Sequence, residues 1–179
     1  MPQFIKQMKP PQMIIFGFLF VILIGSIFLA LPMSDQNGQA TSYLDSLFMA
    51  VSATCVTGLA VVNTADHWNT FGQVIILIMV DVGGLGFMSF LVLLLNMTGQ
   101  HPSFKSKMLI RDAYNFTSFN NGDKLVKSIV KLSLVTQLIG AVLLSLDFVP
   151  KFGWAKGIWF SVFHAVSAHS NAVFYLFET

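Results

Sequence analysis

The sequence predicts an all-α integral membrane protein, assembled from repeated units of spanning helix, re-entrant loop and spanning helix. Three observations lead there: an apolar composition, a set of long and half-length uncharged segments, and an internal match at one fixed offset. Of 179 residues, 55% are hydrophobic and 10% charged, with a mean hydropathy of +0.72. A water-soluble domain carries about 25% charged residues. A net charge of +2 supplies no basic field for nucleic acid, and the single cysteine, Cys55, excludes an intrachain disulfide framework.

Met13 to Leu31 runs nineteen residues without a charge. At a 1.5 Å rise this is about 28 Å, close to the hydrocarbon thickness of a bilayer. Lys6 and Lys9 precede it, as they would a signal peptide, but the run exceeds a usual signal core and no A-x-A-like site follows. Phe71 to Met97 is the second span, interrupted only by Asp81, and Leu125 to Leu146 is the third. Lys127 and Lys131, in the first turns of that third span, can reach back to the interface. Tyr43 to Ala53 and Ile158 to Ala168 are apolar but eleven residues each. A helix of that length covers about 16 Å, half a bilayer, so these segments are expected to be buried or re-entrant.

Charge sets the orientation. Lys6, Lys9, Lys105, Lys107, Arg111, Lys124, Lys127 and Lys131 fall on one side of this layout, and only Lys151 and Lys156 on the other. The positive-inside bias places the N-terminus and the basic 99–124 loop in the cytoplasm. Trp68, Trp154 and Trp159 are then expected as an aromatic belt at the outer face.

Shifted by 115 residues, Ser46, Phe48, Ala50, Val51, Ser52 and Ala53 recur as Ser161, Phe163, Ala165, Val166, Ser167 and Ala168. The same shift aligns Leu23-Ile24-Gly25 with Leu138-Ile139-Gly140, and Pro32 and Pro150 each close a span. The expected organisation is a first unit over residues 1–98, the basic loop over 99–124, and a second unit over 125–179 that holds only its first helix and its loop.

The stretch SATCVTGLAV follows the first short helix. A half-spanning helix entering from outside points its C-terminus at the bilayer midplane, where four carbonyls and the negative end of the dipole favour a cation. Thr54, Cys55, Val56, Thr57 and Gly58 can return outward as extended chain, their carbonyls replacing an ion's hydration shell. Gly58 permits the positive φ that turns a carbonyl toward such a path. The plainer reading is a packed turn with Gly58 as a C-capping residue. In DVGGLGF, the glycines lack the spacing of a dinucleotide loop, and Gly83, Gly84 and Gly86 read as close helix contacts. Asp81 reads equally as a pore-adjacent group or as a paired structural aspartate. His164 and His169 read as packing or mouth-lining residues.

The stretches LFMAVSATCVTGLAVVNT, VGGLGFMSF and FGWAKGIWFSVFHAVSAHSNA resemble the Trk/Ktr/HKT superfamily of potassium transporters, and specifically its bacterial KtrB-type membrane subunits, from Pro10 to Ala172. The resemblance implies four units around one pore, of which this chain holds about one and a half. Potassium is then the cargo, with no covalently bound cofactor, and Thr54 to Gly58 form the first quarter of a selectivity filter. It further implies a multi-pass protein of the plasma membrane and a homodimer in the full-length protein. A cytoplasmic ring of nucleotide-binding regulatory subunits would sit on the side of the 99–124 loop.

Two departures stand out. Cys55 occupies a place where that family commonly has threonine or another small residue, which is tolerable if backbone oxygens coordinate. The second loop, His169, Ser170, Asn171, Ala172 and Val173, is degenerate: the family's N-A-G-F reads Asn171-Ala172-Val173-Phe174, with a β-branched residue where φ > 0 is expected. Val173 to Thr179 is expected to be a frame-shifted or truncated tail, and the chain a truncated copy. The alternatives are a transport-incompetent membrane fragment and a membrane-embedded enzyme using His164 or His169; no convergent ionisable groups accompany those histidines.

Overall fold

The computed structural model describes residues 10–86 and 122–177. Those residues are helical and contain no named strand; a single antiparallel bridge joins Asp35 and Trp68. The elements are α1 (Pro10–Ala30), a 3-10 turn (Pro32–Ser34), α2 (Tyr43–Thr54), α3 (Thr64–His67), α4 (Thr70–Leu85), α5 (Gly122–Phe152) and α6 (Trp154–His169). The basic loop, and the second span beyond Gly86, lie outside the described residues.

The chain divides into two compact units. One is Met1–Phe20 with Leu85–Ser133, of which the described parts are the opening turns of α1 and α5, Leu85 and Gly86. The other is Val21–Gly84 with Leu134–Thr179, and it contains both short helices and the segments that follow them. Its core is apolar: Leu29, Met49, Ala53, Ile76, Val80 and Phe163 are all essentially inaccessible. Gly25 allows α1 to meet α4, because a Cβ there would collide with the Met79 sulfur.

Lys127–Phe152 is long and apolar enough to cross a membrane, with a mean hydropathy of 2.0. Only 17% of an 18-residue window of that stretch is buried within the chain. Leu138, Leu143 and Leu146 point outward, a pattern opposite to that of a soluble core helix. Ile14–Ala30 and Thr70–Leu85 are apolar helices of shorter length.

Three boundaries differ from the sequence expectation. Pro150 lies inside α5, which runs on to Phe152; the proline sits in the last turn, where its ring replaces one N–H without ending the helix. α6 begins at Trp154 rather than Ile158, because Gly153 at φ 81° turns the chain directly from α5. α4 stops at Leu85, ahead of Gly86 at φ 76°. The aromatic belt also needs correction. Trp154 is exposed, but Trp68 is fully buried, with the His67 ring edge-on at 4.6 Å, and Trp159 is half-buried.

Trp68 is enclosed because polar backbone closes around it. The Asn69 N–H donates to Ser34 O at 3.0 Å, the Gln36 N–H to His67 O at 2.9 Å, and the Asn69 amide to Met33 O at 2.7 Å. Asp35 Oδ2 accepts from the Asn37 and Gln39 N–H groups at 2.9 and 3.0 Å, and its Oδ1 lies 3.6 Å from His67 Nδ1.

The Gln39 N–H is the main reason the Asp35 carboxyl titrates below its ordinary 3.8; the Asn37 N–H and His67 add to this, and desolvation opposes it. A lowered value means that the ionised form stabilises the fold. That contribution is present above about pH 4 and lost as pH falls through the folded value. Thermal melts in detergent should therefore show stability falling between about pH 5 and pH 3. Asp35→Asn should start lower at neutral pH and lose less on acidification; equal acid slopes would contradict the assignment.

Candidate functional site

α2 starts behind Ser42 with Asp45 in its first turn, where a carboxylate suits the positive end of the dipole. Ser46, Met49, Ala50 and Ala53 recur at helical spacing and form its buried face. In α6 the equivalent face is Gly157, Ser161, Ala165 and neighbours. These small residues bring α6 onto α5: a Cβ on Gly157 would lie 2.8 Å from Phe148 O, and one on Gly140 would lie 3.4 Å from the Ala165 methyl.

Both helices end in the same way. After Thr54 the N–H groups of Cys55, Val56 and Thr57 donate to the carbonyls of Val51, Ala53 and Ser52 at 2.8, 3.2 and 2.9 Å. After His169 the N–H groups of Ser170, Asn171 and Ala172 donate to Val166, Ala168 and Ser167 at 3.0, 3.1 and 2.8 Å. Each set is a Schellman cap, in which a left-handed residue just past the helix turns the chain back so that its amides satisfy the last carbonyls. The left-handed residues are Val56 at φ 56° and Asn171 at φ 58°, and a second positive φ follows two residues later in each, at Gly58 (75°) and Val173 (57°). Every one of these pairs is separated by 115 residues.

This geometry corrects three expectations. Thr54 and His169 are the last residues of their helices rather than members of the segments that follow. Val56, not Gly58, ends α2, so the capping-glycine reading fails and the segment from Cys55 is not uniformly extended. Three of the last four carbonyls of each helix are bonded by the chain's own cap, because bare carbonyls are costly away from water. The helix end keeps its negative dipole but offers fewer free oxygens than expected.

The two segments lie side by side. Gly58 abuts the Ala172 carbonyl so closely that a Cβ would strike that oxygen. A cavity of about 360 Å³ opens beside them, lined by Gly58, Leu59, Asn63, Thr64, Val173 and Tyr175 among others. Cys55 and Thr57 are exposed. Below the helix ends, α4 supplies the seat. A Cβ on Gly83 would collide with Thr54 O, and one on Gly84 with Ser170 Oγ. The expectation of close packing thus acquires partners at Gly83 and Gly84 but not at Gly86. There a Cβ would meet nothing within 4 Å among the described residues, and the positive φ of 76° is what calls for glycine.

Asp81 accepts from Gln137 Nε2 at 2.7 Å, in keeping with the paired reading. His169 Nδ1 lies 3.1 Å from Thr136 Oγ1, and His164 bonds to the backbone at Phe160 and Leu176. Sequence reasoning did not find Gln73, which accepts from Trp159 Nε1 at 2.7 Å and donates to Trp68 O at 2.8 Å. A glutamine at the head of an apolar span is the only signal it left.

Residues 3–178 match the family described as TrkH, cation transport protein. That range includes Val173 to Glu178, where the pattern was expected to have been lost. The chain is 46% identical over 169 residues to the potassium/sodium uptake protein NtpJ of Enterococcus hirae, covering 94% of this chain and 38% of that protein. It is 42% identical to the Ktr system potassium uptake protein B of Bacillus subtilis, over 93% of this chain and 37% of the other. For the protein of that name from Vibrio alginolyticus the identity is 39%, over 94% and 36%. The chain spans a little over a third of the length of these relatives.

The two positive-φ positions make opposite demands. Val173→Gly should raise stability by roughly 1 kcal/mol, since a β-branched residue is strained there. Gly58→Ala should lower it by more than about 1 kcal/mol, because its φ is unsuitable for alanine and Ala172 O occupies the space. Denaturant unfolding in lipid nanodiscs reads both; the reverse ranking would refute this backbone geometry.

Proposed function

The chain belongs to the TrkH family of cation transport proteins, and we propose that it forms part of the pore of a potassium uptake system. In this reading it is a multi-pass protein of the plasma membrane with a cytoplasmic N-terminus. Residues 1–98 are one helix–pore loop–helix unit, 99–124 a cytoplasmic loop, and 125–179 the first helix and pore loop of a second unit. Potassium is the cargo, and backbone oxygens of Thr54 to Gly58 and of His169 to Val173 line its path. The proximity of Gly58 to the Ala172 carbonyl carries the reading. It brings two helix C-termini, each with its negative dipole end, to one place where the backbone has no room for a side chain.

The relatives named as Ktr system and NtpJ uptake proteins support potassium as the ion. The word "system" in those names fits a further subunit, for which a cytoplasmic nucleotide-binding ring acting on a homodimer is the expected form.

The test is a chimera in which this chain replaces the aligned stretch of the Bacillus subtilis protein, expressed in cells lacking potassium uptake. Rubidium uptake and growth at low potassium should return. Gly58→Asp should abolish both, and an external thiol reagent should inhibit through the exposed Cys55, with Cys55→Ser insensitive. An active Gly58→Asp chimera would remove Gly58 from the ion path.

A further inference from the structure

The segment after α6 is held by two side chains one turn apart on that helix. Ser167 Oγ donates to Phe174 O at 2.8 Å, and the Leu176 N–H donates to His164 Nε2 at 3.3 Å. His164 Nδ1 lies 2.7 Å from Phe160 O. A carbonyl only accepts, so Nδ1 carries the proton and Nε2 presents its lone pair. The two bonds together specify one neutral tautomer. The ring is fixed by Phe177, stacked at 4.4 Å, and by Phe148, edge-on at 5.5 Å.

The first loop has no such device. The residue 115 positions before His164 is Met49, fully buried and without a strong acceptor. There, Thr57 Oγ1 instead donates to Ser52 Oγ at 2.9 Å. Each loop holds one valine in the left-handed region, Val56 in the first and Val173 in the second, and the second loop's valine lies within the tethered segment, where Gly58 stands in the first. A strained backbone persists only where its surroundings over-determine it.

We propose that His164 is a positioning residue: as a neutral imidazole accepting the Leu176 N–H, it holds the segment from Asn171 to Leu176 beside Gly58 and so tunes cation affinity. The affinity half of this rests on the pore reading above. Two variants separate the acceptor from the bulk. His164→Leu keeps volume and removes the lone pair; His164→Gln places Oε1 near the position of Nε2.

The first measurement is hydrogen exchange of the peptide 172–177 in the whole chain, in nanodiscs. The second is rubidium uptake by the chimera. His164→Leu should speed exchange at Leu176 and raise the rubidium KM by about three- to tenfold, the range one lost hydrogen bond supports, with the maximal rate changed less than about twofold. His164→Gln should restore most of both. Unchanged exchange in His164→Leu overturns the proposal. So does a parallel collapse of KM and maximal rate, or a glutamine variant no better than leucine. A chimera without uptake counts against the pore reading and the affinity role; the exchange measurement alone then decides whether His164 holds the segment.

Discussion

A helix that stops within an apolar surrounding must dispose of its last carbonyls, and that constraint shapes this protein. Backbone oxygens left bare there cost several kcal/mol each. The chain meets the demand locally, by turning back through Val56 and Asn171 so that three amides close on each helix end. Asn171 is a known alternative to glycine at such a position, whereas Val56, being β-branched, is an unusual choice. The turn is held by what surrounds it. Thr57 is tied to Ser52 in one loop, and Phe174 and Leu176 to Ser167 and His164 in the other.

Once the ends are closed, their placement becomes a packing problem, and α4 solves it. Gly83 and Gly84 are adjacent, so on a helix they point about 100° apart, and each receives a different short helix. Toward the N-terminal end of α4, Gln73 links Trp159 near the start of α6 to the backbone of Trp68. α4 thus touches α6 near both of its ends, while Asp81 reaches Gln137 on α5. Gln73 with Trp159, and Asp81 with Gln137, are polar pairs made across helices, where they fix register as well as avoid a desolvation penalty.

The two loops share a backbone path and a supporting serine, Ser52 or Ser167, but differ in their other supports. The first uses a glycine at its second left-handed position and a methionine at the helix face; the second uses valine and histidine at the same offsets. Two copies of one backbone turn can thus differ in the side chains that hold them while keeping the same path.

What the sequence by itself determined was every feature carried by hydropathy, charge and repeat spacing. The apolar runs, the presence of a short helix in each unit, the asymmetry of positive charge and the 115-residue match all follow from local hydropathy and spacing, while the family resemblance rested on three motifs. α6, at 16 residues, is longer than its apolar stretch suggested. Tertiary structure decided the rest. Cys55 through Gly58 read as an extended return with glycine as its pivot, yet Val56 makes the turn, because three amides can reach the helix carbonyls only that way. Trp68 read as an interfacial residue, yet the strap from Ser34 to Asn69 buries it. Gly83, Gly84, Gln73 and His164 gained their partners from segments far apart in sequence, and no periodicity within a segment encodes what another segment will place against it.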